Sequence, residues 1–416
     1  MSVVPVPEHA VLLHIGPHKT GTTAIQGILT TAREQMAEHG VLYPGTSWSH
    51  ADEARAVLNR PAGWLYDSAP LPDQSRWRDL VESVHAAPGR VVLSSEFFAL
   101  ADAEQRARVV EDLGADRLHI LVAARNPGSI VLSTWQQVLR DGKTGRLEEF
   151  LRRGFERDRP GHATSGFWSW ADAANQVEDW APLVGVDRLR VVVIDESDRT
   201  LLPTTFEQLL GLPAGLLSSV APPSQNRSLT APEAELLRRA TELVKPELRW
   251  EEFSLFFRMG YARRLLDHRT VPRDEARSAL PAWATEQAAA EAAAMIERLD
   301  ASGVTVIGDL DDLRRVPAPA EPQPIDEVPV DLAAEALAGV MLAAQRRLRK
   351  TQRRADRAER QVRRLAKGTD RPPAGLDGVP ASELASELAS RARRKIGLGG
   401  RDRTAPATRE SSTRDR

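Results

Sequence analysis

The sequence of 416 residues predicts an α/β fold, a parallel sheet flanked by helices, with a helical C-terminal extension. Three observations carry this prediction. Short apolar, β-branched-rich runs recur through the first half of the chain. Amphipathic stretches of helical period lie between them. Each run ends in polar or Gly/Pro punctuation, as buried strands do. Strands that alternate with helices form parallel sheets covered on both faces.

Taken in order, residues 10–15 (AVLLHI) read as the first buried strand. Residues 90–95 (RVVLSS), 118–124 (LHILVAA) and 189–194 (LRVVVI) read as three more. Helical patterns occupy about 22–38, 103–112, 128–140 and 168–183. Beyond residue 200 the pattern turns helical. Thr230-Ala231-Pro232-Glu233 has the residue types of a helix N-terminus, with a capping hydroxyl and an early proline. Residues 283–299 are an Ala/Glu-rich helix, and 304–307 (VTVI) a last strand. These elements give a body over 1–312, a Pro-rich linker over 313–330, an Arg-rich helix over 331–367 and a mostly disordered basic tail over 368–416. In the Arg-rich helix, Met341, Leu348, Ala355 and Val362 recur every seven residues, a thin coiled-coil seam.

Composition narrows the class. Hydrophobic residues make up 42% and charged residues 27%, ordinary values for a globular protein. With no cysteine, disulfide scaffolds, thiolate metal sites and Cys nucleophiles are excluded. No apolar run reaches the roughly 18–20 residues of a membrane span. The first residues lack a basic n-region, so no secretory signal is expected and a cytoplasmic location is. The net charge of −2 conceals an asymmetry. Residues 345–416 hold 21 Lys/Arg and 9 Asp/Glu, so this tail carries +12 and the rest of the chain −14.

The first strand runs into Gly16-Pro17-His18-Lys19-Thr20-Gly21-Thr22-Thr23 and then a helix. A Gly-rich turn between strand and helix aims backbone N–H groups and the helix dipole at one point, a place for phosphate. The two glycines have the spacing of a Walker A loop, and Thr23 fits its last position. Position 22 is Thr where that motif needs Lys, and the lysine stands three residues upstream, at Lys19.

Pro17-His18-Lys19-Thr20-Gly21-Thr22-Thr23 resembles the 5′-phosphosulfate loop of sulfotransferases that use 3′-phosphoadenosine 5′-phosphosulfate (PAPS). A second signature of that family is an Arg ending a strand with a Ser eight residues on, and Arg125 and Ser133 match it. A strand that ends in acids, here Asp195-Glu196, echoes both sulfotransferases and the Walker B strand. The resemblance covers roughly residues 10–230. It implies a P-loop NTPase-like sheet and sulfuryl transfer from PAPS to a hydroxyl or amine, with 3′-phosphoadenosine 5′-phosphate (PAP) as product and no metal. In that reading Gly16, Lys19, Thr20, Gly21, Thr22 and Thr23 hold the 5′-phosphate, and Lys19 also neutralises the leaving oxygen. Arg125 and Ser133 hold the 3′-phosphate, and Arg227 is a candidate for a late basic loop over it. Ala24 stands where many cytosolic members carry an aromatic against adenine, so adenine is held otherwise.

A hydroxyl acceptor needs a general base. Glu96, after the second strong strand, is the first choice, with His18 and His50 as alternatives, while His14 reads as a buried strand histidine. Trp48, Trp64, Tyr66, Trp77, Trp135 and Trp168 are candidates for an acceptor site or for core. The acceptor is a glycan, a lipid or a small metabolite. The Arg-rich helix offers self-association, and no motif in it points to specific nucleic-acid binding. Two rival readings stay open: a P-loop kinase or NTPase using ATP and magnesium, and a non-catalytic scaffold acting through the C-terminal helix.

Overall fold

The computed structural model describes residues 3–61, 71–155, 167–221, 227–321 and 324–366. Six strands are present: β1 Val11–Ile15, β2 Val41–Leu42, β3 Arg90–Ser94, β4 Leu118–Ala124, β5 Leu189–Val193 and β6 Thr305–Ile307. They form one sheet in the order β2-β3-β1-β4-β5-β6, and every pairing is parallel. The fold is thus α/β, a six-stranded parallel sheet flanked by helices. The five strands expected from apolar runs all form. The two-residue β2 was not anticipated, because a strand that short leaves no period to read.

The sheet is buried on both faces, and alternate residues feed two cores. Val11, Leu13 and Ile15 of β1 join Val91, Leu93, Ile120, Val122, Val191 and Val193 on one face. Leu12 joins Val92, Leu121, Ala123 and Val192 on the other, with Ile25, Leu29 and Phe206. Trp180 and Trp77, fully enclosed in the first core, fill the space between helices and sheet.

Five helices matter for the site: α1 Thr22–Thr31, α2 Pro127–Arg140, α3 Ala231–Val244, α4 Ala282–Ser302 and α5 Val330–Ala366. The helix expected over 22–38 breaks at Ala32 into α1 and Arg33–Glu38. The pattern over 168–183 breaks at Asp172, whose carboxylate caps Ala174 N–H at 2.8 Å and accepts from Arg298 at 2.8 Å. At α3 the expected cap forms in full. Thr230 accepts from Glu233 N–H, and the Glu233 side chain reaches back to Thr230 N–H at 2.9 Å. Residues Ser254–Ala262 form a π-helix, a wide turn type that is rare and concentrates at functional sites.

One compact unit runs from Met1 to Val340. Within it the segment after β6 lies against α2. Asn126 donates to Leu313 O at 2.6 Å, and Gly128 faces Val316 and Pro317. The start of α5 belongs to the same unit, with Leu332 buried and Arg264–Glu335 and Arg269–Asp331 ion pairs. A second unit begins at Met341; in it Met341 and Leu348 of the seven-residue seam are exposed. No described helix is long and apolar enough to cross a membrane.

Candidate active site

Strand order puts β1 at the centre, with β3 on one side and β4 on the other. The chain reverses its direction of travel across the sheet there. Ligands of open parallel sheets gather at the carboxyl ends of the strands at such a switch point. The segments after β1, β3, β4 and β5 carry Gly16–Thr23, Glu96, Arg125 and Glu196, so all four meet at this edge.

The loop after β1 is shaped by close approach. A Cβ on Gly16 would sit 2.2 Å from the Thr22 methyl and 3.1 Å from the His14 ring, so only glycine fits. Gly21 caps α1 at φ 87°, in the left-handed region. Lys19 also has positive φ, at 74°, which costs a non-glycine residue of order 1 kcal/mol. This twist turns the lysine back across the loop, and its Nζ donates to Gln137 Oε1 of α2 at 2.8 Å. Thr20 is buried and donates to Pro17 O at 2.8 Å, so its hydroxyl braces the loop. Of the group expected to hold phosphate, Thr20 therefore has only its backbone N–H to offer. Thr22 is packed against Gly16, while Thr23 is exposed at the first turn of α1. These N–H groups at the start of α1 and the adjacent cation form a set suited to an anionic phosphate.

Arg125 joins the two signatures. Its Nη1 donates to Lys19 O at 2.6 Å and lies 3.4 Å from Ser133 Oγ. Ser133 Oγ in turn donates to Ser129 O at 2.7 Å. The other edge of the guanidinium, Nε and Nη2, grips Glu196 Oε1 at 2.9 and 2.8 Å. Burial works against the Glu196 carboxylate, but Arg125 and the Ser129 hydroxyl outweigh it and hold Glu196 below the usual carboxylate range. An anion thus already sits on the fork of Arg125. Asp195 instead closes a local turn, accepting from Ser197 N–H at 2.8 Å.

Around Lys19 lie the candidate bases. Glu96 Oε2 accepts from Gln26 of α1 at 3.2 Å. His18 sits edge-on between Phe97 and Trp170, with ring centroids 5.8 and 5.2 Å away. Burial, with the Lys19 charge added, pushes His18 below its ordinary value against the pull of Glu96 and Asp141. Lys19 is brought down to about 8, by burial first and by the repulsion of Arg140 and Arg125 next. His50 is otherwise committed. Its Nδ1 accepts from Ser94 N–H at 3.2 Å and its Nε2 donates to Pro44 O at 3.1 Å. Burial takes His50 down to about 4, so the ring is neutral and offers no lone pair to an acceptor. His14, fully buried and hydrogen-bonded to Ser94 at 2.9 Å, is the strand histidine expected.

Lys19, His18, Glu96, Arg125 and Ser133 therefore meet in one place. Arg227 stands apart from them. Its fork clasps Glu233 at 2.7 and 2.8 Å, and Nη2 also reaches Leu265 O at 2.8 Å. Glu233 is fully buried and binds Arg269 as well, which places Arg227 in an internal ion network. Its neighbour Leu229 does touch the site helix, exchanging two hydrogen bonds with Gln136 at 2.9 Å each. Among the aromatics, Trp77, Trp135 and Trp168 are core and Trp48 is exposed; Trp64 and Tyr66 lie outside the described residues. Sequence reasoning missed Gln137 and Arg140. Their signal was present, since positions four and seven beyond Ser133 fall on the same helical face. Among the described residues, no cluster of three or more His, Asp or Glu is placed to hold a metal.

No family model matches this chain, and no curated protein matches it. Among solved structures it is similar to the crystal structure of a sulfotransferase from Alicyclobacillus acidocaldarius, at 16% identity and a TM-score of 0.35. That alignment covers 58% of this chain and 98% of the other, and at this level of likeness it carries no argument about the reaction.

Proposed function

We propose that the chain is a PAPS-dependent sulfotransferase acting on a hydroxyl or amine acceptor. The single observation that carries this reading is Arg125, which contacts the Lys19 carbonyl and approaches Ser133 Oγ. The two sequence signatures, more than 100 residues apart, share one guanidinium. The residues also fit the group. Gly16 admits no Cβ, the N–H groups of Gly21 to Thr23 open α1, and Arg125 already holds a carboxylate as it would a phosphate.

The donor supplies the sulfuryl group and leaves as PAP. The acceptor oxygen bonds to sulfur, the bond from sulfur to the 5′-phosphate oxygen breaks, and that oxygen keeps the electron pair. Lys19 offers the nearest cation for the charge that develops there. Glu96 takes the acceptor proton, with His18 beside it as the alternative base. Arg125 and Ser133 bind the 3′-phosphate through a charge-assisted fork and a hydroxyl.

The test is calorimetric binding of PAP, and of ATP with magnesium, to wild type, Lys19→Ala and Arg125→Ala. The expected result is PAP binding without metal that Arg125→Ala weakens at least tenfold. A preference for ATP with magnesium would overturn the reading in favour of a kinase or NTPase. Binding of neither nucleotide would favour the scaffold reading.

A further inference from the structure

Arg140, the last residue of α2, stands half-buried beside the site. Its Nε is shut off from solvent with no hydrogen-bond acceptor, and among the described residues the guanidinium makes no hydrogen bond or ion pair, the Asp141 charge acting on it only through space. The nearest carboxylate in sequence, Asp141, is already used on both oxygens. Oδ2 accepts from Gln137 at 3.0 Å, and Oδ1 faces Arg258 at 3.3 Å. Arg258, held on the π-helix and stacked over Trp250, brings a further positive charge to the same place. An arginine at a helix C-terminus normally gains from the dipole while its head stays in water. Here Nε is enclosed, three residues beyond the Gln137 that holds Lys19. Arg140 is the charged group that depresses Lys19 most, and burial lowers Arg140 itself.

The helix sets the order of these groups. Ser133, Gln137 and Arg140 are four and then three residues apart, so they lie along one face of α2. With a rise of about 1.5 Å per residue, Arg140 lies about 10 Å beyond Ser133 along the axis. Gln137, between them, holds Lys19. The sequence along the face is therefore Arg125 with Ser133, then Lys19, then Arg140.

We infer that Arg140 and Lys19 form an oxyanion subsite beyond the phosphate loop, and that its ligand is a sulfate-like group. The inference rests on the sulfuryl-transfer reading, and such a group has two sources: the transferring sulfuryl group of the donor, or an anionic substituent on the acceptor. Two half-buried cations in one region repel each other, and an oxyanion between them turns that repulsion into two charge-assisted hydrogen-bond sets. Arginine suits the task, since its planar fork donates to two oxygens at once.

The experiment measures calorimetric binding of PAP, of PAPS and of inorganic sulfate to the full chain, as wild type, Arg140→Gln and Arg140→Lys. If the ligand is the sulfuryl group, Arg140→Gln weakens PAPS about tenfold to a hundredfold and leaves PAP within about twofold. If it is an acceptor anion, PAP and PAPS are both unchanged, and inorganic sulfate titrated into the PAPS-loaded chain loses its binding in Arg140→Gln. Either result supports the subsite, and Arg140→Lys, which keeps the charge and loses the fork, retains part of the binding. Equal affinities of wild type and Arg140→Gln for all three probes would overturn it. If wild type binds neither PAP nor PAPS, the donor reading fails. Inorganic sulfate added to the unloaded chain then still decides Arg140, because loss of binding in the Gln variant supports the subsite and no change overturns it.

Discussion

Binding of PAP should weaken as pH rises from 7 to 9, because Lys19 loses its proton in that window. The side chain is brought to about 8 by burial and by the nearby guanidinium groups of Arg140 and Arg125. At that value the protonated fraction is about 0.9 at pH 7, about 0.5 at pH 8 and about 0.1 at pH 9. An anion beside the ammonium raises its pKa in the complex, so protonation and binding favour each other. The sign follows: affinity is full below pH 8 and is lost above it, by up to about tenfold at pH 9. An ordinary solvated lysine would change by only a few per cent over that range. Calorimetric titration of PAP at pH 7, 8 and 9 gives the slope directly. Lys19→Arg, which stays charged, should flatten the profile, and Lys19→Ala should bind weakly with no slope. A flat wild-type profile, or a Lys19→Ala slope equal to that of wild type, would refute the reasoning.

Glu196 occupies the fork of Arg125 while the pair remains partly open to solvent. Releasing it by Glu196→Gln should strengthen PAP binding by about twofold to fivefold, since a part-exposed ion pair contributes up to about 1 kcal/mol. Weaker PAP binding in that variant would show that the carboxylate positions Arg125 and does not compete with phosphate. The Glu233 network predicts a stability effect of another size. Glu233→Gln leaves Arg227 and Arg269 with an uncharged partner in the interior, and unfolding in urea should report a loss of roughly 3–5 kcal/mol. A change below 1 kcal/mol would mean that the network is solvated in solution.

Much of the fold was legible because buried parallel strands are apolar along their whole length, and 118–124 and 189–194 show this plainly. β2 was not, because two residues carry no period. Asp172 was hard to read as a break for another reason: an apolar period runs on past it, although its carboxylate caps Ala174 N–H and also binds Arg298, more than 100 residues away. At the site, the loop and the Arg125–Ser133 pair stood out by their spacing in the sequence, and the fold brings them into contact. Thr20 and Arg227 came out differently. A hydroxyl that braces its own loop and one that faces a ligand share the same sequence, and only Pro17 O tells them apart. The place of Arg227 in a loop points to a ligand contact, but Glu233, six residues on, is its partner in the fold. Gln137 and Arg140 were not legible from their shared helical face alone, because a Gln and an Arg on a helix are ordinary surface residue types and only the fold sets Lys19 against Gln137.

The sheet ends in strands of two and three residues, β2 and β6. Each offers an incoming chain only a few unpaired backbone groups, too few to template a further strand. Strand exchange and edge-to-edge polymerisation are thereby disfavoured at both sides of the sheet. Contact between copies of this protein would then run through side chains and not through a shared sheet, so single substitutions could create or abolish it.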